Sequence, residues 1–194
     1  ILAKVNTSKD TLLYAKAMES SITLIKNNKS ILPLSNDKKY LHVAFGKNDN
    51  GDYLFNKINK YLELDSYSSQ DFTPLYSKTD YDAIIISYHS SSSSPYASNI
   101  IPPEIVANIN KISRNNNIVL NLFLNPYSLN SFNSIDDFES IVIGYQNNII
   151  SQEITADLLF GIRSFKGKIP VSNNFYSVNH GLSLLKKNII GFSR

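Results

Sequence analysis

The chain contains no cysteine. That excludes a disulfide framework, a thiolate-ligated zinc site and a thiol nucleophile. It does not fix the compartment, because exported bacterial proteins also lack cysteine; a periplasmic or extracellular setting is favoured over the cytoplasm. No apolar run approaches the roughly 18 residues that a membrane helix requires, so no membrane span is expected. The opening ILAKVNTSKD has no basic start followed by an apolar stretch and does not read as a secretory leader. Charge is sparse, at 18% of residues with a net +3, and Lys and Arg are spread without a block or stripe. Nucleic acid and membrane surfaces are therefore not expected partners. Asn, Ser, Ile and Lys are abundant, which fits a genome rich in A and T. Hydrophobic residues make up 42% of 194, enough for one well-formed core and one domain.

Glycine is scarce, with seven in the chain, and none stands in a phosphate-binding motif. Gly46 and Gly51 have P-loop spacing, but Asp52 and Tyr53 follow where Lys and Ser or Thr belong. A carboxylate there repels phosphate. There is no G-x-G-x-x-G, no G-x-S-x-G elbow and no H-E-x-x-H, so dinucleotide binding, serine hydrolysis and zinc proteolysis lack their frameworks. No cofactor or metal is expected.

Apolar periodicity predicts a helix over 8–27, capped by Ser8, with Leu12, Leu13, Ile22, Leu24 and Ile25 in its stripe. Leu32-Pro33-Leu34 reads as extended, since Pro33 disfavours helix at Leu32. Strands are predicted at Tyr40–Gly46, Leu64–Tyr67, Tyr81–Tyr88, Ile118–Leu124 and Ser140–Tyr145. Helices are predicted at Tyr53–Leu62, Pro102–Arg114 and Ile149–Phe160, the last closed by Gly161. The tail from Gly167 reads as irregular. Strands apolar on both faces and separated by helices imply a mainly parallel, doubly wound sheet in a three-layer α/β/α sandwich, flavodoxin-like in topology.

Sites in such sheets lie past the strand C-termini. The loop 89–101 leaves one such end with His89, five serines and Pro95. His42, inside a strand, reads as structural, and His180 as a surface residue of the tail. Glycoside hydrolysis needs two carboxylates roughly 5–10 Å apart. Asp136, Asp137 and Glu139 stand at the N-terminal end of a strand and read as a solvated connector. Glu153 and Asp157 read as the polar face of a helix, Glu19 lies in the first helix, and Glu104 complements a helix start. No pair shares an environment, and no catalytic residue is assigned.

Four segments in order carry a resemblance. They are AKAMESSITLIKNNKSILPL (15–34), YDAIIISY (81–88), NPYSL (125–129) and FGIRSFKGKIPVS (160–172). Together they resemble the C-terminal α/β domain of glycoside hydrolase family 3. Leu124 departs from the pattern, replacing the glycine before N-P-Y-x-L. The resemblance implies that 1–10 is a linker from an N-terminal (β/α)₈ barrel absent from this sequence, and that 11–194 is the domain packing on that barrel. In the β-glucosidase-like branch this domain lends a general-acid Glu from a P-Y-x-E setting. Here Pro95-Tyr96-Ala97-Ser98 stands in its place. A serine hydroxyl is too weakly acidic to protonate a glycosidic oxygen.

The resemblance therefore points toward the β-N-acetylhexosaminidases, whose His–Asp acid/base pair belongs to the barrel. Some are fused to a β-lactamase-like domain, for which this chain holds no motif. The implied role is a non-catalytic accessory domain, its partner the barrel and the parent's substrate an amino-sugar glycoside. His89, Ser90, Tyr96, Ser98, Asn125 and Tyr127 are the substrate-cleft candidates. Asn and Tyr suit sugar hydroxyls and ring faces, while Asn125-Pro126-Tyr127 also suits a structural turn. Two alternatives remain: a β-glucosidase-like parent, and a free-standing module binding a small ligand at the sheet's switch point.

Overall fold

A computed structural model describes residues 8–46, 52–90 and 100–187. The elements run α1 (Ser8–Ser21), β1 (Thr23–Asn27), β2 (Tyr40–Gly46), α2 (Asp52–Ile58), β3 (Leu64–Tyr67), β4 (Ala83–His89), α3 (Pro103–Ser113), β5 (Ile118–Phe123), β6 (Ser140–Ile143) and α4 (Ile149–Phe160). The six strands form one sheet in the order β1-β6-β5-β4-β2-β3. β2 to β6 are mutually parallel. Counted alone, they have the flavodoxin-like order 2-1-3-4-5.

Strand alternation divides the core in two. Tyr40, Leu64, Ala83, Ile85, Val119, Phe123 and Val142 face one layer, with Met18 of α1, Leu54 and Ile58 of α2, and Leu158 of α4. Leu41, Val43, Ile84, Ile86, Leu120, Leu122 and Ile141 face the other, with Ile109 and Ile112 of α3 and the 3₁₀ residues Leu75 and Leu129. The near-unbroken Ile, Leu and Val of β4 to β6 are thus explained by burial on both faces.

The first helix is shorter than its periodicity predicts. It ends at Ser21, and Thr23–Asn27 is a strand antiparallel to β6, with Thr23 opposite Ile143 and Asn27 opposite Ser140. Two features end the helix. Ser20 and Ser21 donate their hydroxyls back to the carbonyls of Lys16 and Met18, at 2.9 Å each. The following Ile-Thr-Leu-Ile run favours a pleated, two-sided burial, and Ile22, Leu24 and Ile25 are all buried. Of the large apolar residues expected in the stripe, Leu12 and Leu13 are open to solvent, at 64% and 56%; Ala17 of the same stripe is exposed too. Ser8–Asp10, within the stretch expected as linker, are the first turn of α1; residues 1–7 lie outside the described residues.

α4 is buried along most of its length, so Asp157 is not part of a polar face. It is 6% exposed and accepts from Arg163 Nε at 2.8 Å and Tyr61 Oη at 2.6 Å. Gly161 closes α4 at φ +85°, a left-handed position that favours glycine. The tail crosses β1: Leu182 N–H donates to Leu24 O at 2.7 Å, and the half-buried His180 donates Nε2–H to Ile25 O at 2.8 Å. His180 also stacks on Tyr176, with ring centroids 4.0 Å apart. It is a strap residue rather than a free surface one.

Candidate functional site

β4 and β5 are adjacent and parallel, with His89 in register with Phe123. Their following segments leave the same end of the sheet, so Ser90 and Asn125 both stand at a strand C-terminus. β2 ends close by at Gly46, where φ is +92° and an added Cβ would lie 2.1 Å from the His89 carbonyl oxygen. Only glycine fits there. β2 and β4 flank the switch point, where the chain reverses its direction of winding.

His89 lies wholly beneath this surface, stacked on Phe123 with centroids 4.9 Å apart. Its Nδ1 is 3.0 Å from Asn147 Oδ1 and its Nε2 is 2.8 Å from Ser87 Oγ. Ser87 Oγ is also 2.8 Å from His42 Nε2. Asn147 donates Nδ2–H to the Ser90 carbonyl at 3.0 Å, and its Oδ1 also accepts from Gln152 Nε2 at 2.8 Å. Gln152 Oε1 in turn accepts the Leu54 N–H at 3.2 Å. One chain of hydrogen bonds therefore links β2, β4, the β6–α4 connection, α4 and α2.

The proton order follows from this arrangement. Because Asn147 Oδ1 accepts, His89 donates through Nδ1, and a neutral His89 accepts at Nε2 from the Ser87 hydroxyl. Ser87 then accepts from His42 Nε2–H, leaving His42 Nδ1 with a lone pair. Burial, followed by the nearby His89, pushes the His42 pKa down to about 3, so the ring is neutral. A hydroxyl between two imidazoles resembles an activated nucleophile, but Ser87 is fully buried and no substrate reaches it. The network is suited to holding strand ends in place.

Asn125 Oδ1 accepts the Tyr127 N–H at 3.0 Å, capping the 3₁₀ segment Pro126–Ser131. The Asn125 carbonyl accepts from Ser128 Oγ at 2.7 Å. Tyr127 is 45% exposed beside it. Tyr96 and Ser98 lie outside the described residues. The structure thus sets Ser90 against the buried network and Tyr127 at the surface of the neighbouring strand end. Ser87, Asn147 and Gln152 were not singled out by sequence. The legible signal was Ser87, one polar residue within the otherwise apolar AIIISY. Among the described residues, no three His, Cys, Asp or Glu side chains cluster as metal ligands do, and no helix is long and apolar enough to cross a membrane.

No family model and no curated protein matches the sequence. Solved structures do match it. A fungal multi-domain glycoside hydrolase family 3 β-N-acetylglucosaminidase aligns with 92% of this chain at a TM-score of 0.68 and 18% identity, over 21% of its own length. A family 3 β-N-acetylglucosaminidase from Paenibacillus aligns with 90% at 0.65 and 14% identity, over 34% of its length. A family 3 β-glucosidase from Bifidobacterium adolescentis aligns with 82% at 0.60 and 17% identity, over 28% of its length. The chain accordingly spans between a fifth and about a third of these proteins. Its α/β sandwich is a fold that recurs as one part of larger glycoside hydrolase family 3 enzymes.

Proposed function

We propose that this chain is the accessory α/β domain of a family 3 glycoside hydrolase and is non-catalytic alone. It packs on a catalytic (β/α)₈ barrel and shapes the rim of the substrate cleft with the segments after β4 and β5. The observation carrying this reading is the coverage: nearly the whole chain aligns with only 21% and 34% of the two β-N-acetylglucosaminidases. The parent we propose is a β-N-acetylhexosaminidase acting on an amino-sugar glycoside. Ser98, in place of a carboxylic acid, supports a parent that draws its proton donor from elsewhere. A β-glucosidase-like parent is the second reading, favoured by the β-glucosidases among the matching structures.

The barrel-facing surface we propose centres on the start of α1. Asn148 Nδ2 donates to Tyr14 Oη at 2.8 Å, holding that turn beside the β6–α4 connection. Leu12, Leu13 and, at the start of α4, Ile149 leave this region apolar and open. Two outcomes follow. The isolated chain releases no p-nitrophenol from p-nitrophenyl N-acetylglucosaminide above the buffer rate, and enzyme-like turnover would overturn the non-catalytic role. Leu13→Glu leaves the denaturation midpoint of the chain within experimental error but lowers its pull-down by a co-expressed family 3 barrel. Equal retention of both forms would remove α1 from the interface.

A further inference from the structure

The turn between β6 and α4 has an outward and an inward side. On the outward side, Gln146 and Asn148 hold Tyr14 of α1. Tyr14 Oη donates to Gln146 Oε1 at 2.5 Å and accepts from Asn148 Nδ2 at 2.8 Å, and Asn148 Nδ2 also reaches Gln146 Oε1 at 3.0 Å. Asn147, between them in sequence, enters the buried network instead. It accepts from His89 and Gln152 and donates to the Ser90 carbonyl, where the chain leaves β4. Consecutive residues thus tie the α1 surface and the end of β4 to one turn.

This turn is held under strain. Tyr145 has φ +62°, a left-handed conformation that a bulky side chain rarely adopts. Such a conformation persists only where its surroundings over-determine it. The Gln146 N–H donates back to Gly144 O at 2.8 Å, and Ser151 Oγ donates to the same carbonyl at 2.7 Å. Thr23 Oγ1 gives its proton to Ser21 O at 2.7 Å and so accepts from Tyr145 Oη at 3.0 Å. Asn148 Oδ1 accepts the Ser151 N–H at 2.9 Å and caps α4. Gly144 lies so close to Phe123 that an added Cβ would come within 2.7 Å of the ring, and Phe123 stacks on His89. Any shift that relaxes Tyr145 therefore displaces Asn147 from His89 and Ser90. Among these ties, Tyr14 stands at the surface, 37% exposed and next in sequence to Leu12 and Leu13.

We propose that this strained turn couples the α1 surface to the strand end at Ser90. Engagement of Tyr14 keeps Tyr145 in its left-handed state and Asn147 latched to His89 and Ser90; loss of that engagement loosens the latch. Asn147 acts as a positioning residue. The inference rests on the accessory reading for its consequence: the α1 surface is the one proposed to meet the barrel, so docking there regulates the rim of the cleft.

Hydrogen exchange of the ¹⁵N-labelled 194-residue chain tests this. Tyr14→Phe removes one hydroxyl and keeps the ring. Exchange is expected to be about fivefold faster at the His89 Nδ1–H and at the Leu54 amide, which Gln152 Oε1 holds at 3.2 Å at the far end of the network. Ile109 and Ile112 of α3, in the opposite core layer, keep their rates. Asn147→Ala gives the same pattern more strongly. Lys16→Ala, which alters an exposed side chain of the same helix, leaves both rates unchanged. The coupling is overturned by unchanged rates in Tyr14→Phe, by equal acceleration in Lys16→Ala, or by acceleration that extends to α3. Its outcome is separable from that of the barrel pull-down. Unchanged exchange overturns the coupling whatever the pull-down shows, while a failed pull-down with the exchange pattern present removes the barrel and leaves the coupled turn.

Discussion

Asp157→Ala is expected to lower the unfolding free energy by about 3 kcal/mol, toward the lower end of what removing one partner of a buried ion pair costs. The carboxylate is buried on α4 and takes a bond from Arg163 Nε at 2.8 Å, another from Tyr61 Oη at 2.6 Å, and the Lys57 ammonium of α2 at 3.6 Å. Arg163 reaches on through Nη1 to Glu19 of α1 at 2.5 Å. One side chain therefore ties α4 to α2, to the turn after α2 and, through Arg163, to α1. Its bond and charge hold the Arg163 guanidinium more firmly protonated; burial and the same carboxylate raise the Tyr61 phenol. The loss falls at the lower end because Arg163 and Lys57 keep some access to water. Urea denaturation followed by circular dichroism should show the midpoint falling with little change in slope. Asp157→Asn, which keeps one acceptor, should fall between the variant and the original chain. A loss below about 1 kcal/mol in the alanine variant would show that the three helices do not depend on this carboxylate.

Acid should destabilise the chain through His42 before most carboxylates are protonated. The unfolded histidine titrates near 6.5, and the buried one is held down to about 3. Between those values the unfolded state binds a proton that the folded state refuses, so stability rises with pH across this window. It is complete above 6.5 and falls by up to about 1.4 kcal/mol per unit on acidification. The cause is burial first and the neighbouring His89 second. Denaturation midpoints at pH 7, 6 and 5 measure the slope. His42→Gln, which can still donate to Ser87, should flatten it even if its midpoint at pH 7 is lower. An equal slope in both proteins would assign the acid sensitivity to other groups.

The parallel sheet was legible because burial on both faces writes itself into composition: AIIIS, IVLNLF and SIVI carry almost no polar alternation. α4 was legible to its bounds because Gly161 supplies a stop whose conformation few other residues adopt. β1 was not, because Ile22-Thr23-Leu24-Ile25 follows a helical stripe without a proline or glycine, and only pairing with β6, over a hundred residues away, makes it a strand. Of the site, the strand-end placement of His89, Ser90, Asn125 and Tyr127 was readable from the α/β pattern. Their roles were not. The depth of His89 depends on the Phe123 ring beside it, and its proton depends on Asn147, a partner distant in sequence. A polar residue inside an apolar strand shows that a buried network exists, but not which side chains complete it.

The strap over β1 bears on how the molecule avoids its own copies. A mainly parallel sheet has two rims, each carrying unused amide groups that another chain can zip onto. At the β3 rim the strand is four residues long and carries Asp65 and Ser66, a poor template for cross-chain growth. At the β1 rim the Leu182 amide occupies Leu24 O, and Phe165 and Leu184 bond to each other in both directions just beyond. Trimming the polypeptide before His180 would bare the outer edge of β1 at Leu24 and Ile25, and fibrillar or amorphous precipitate, rather than a looser monomer, is the form in which that loss would become visible.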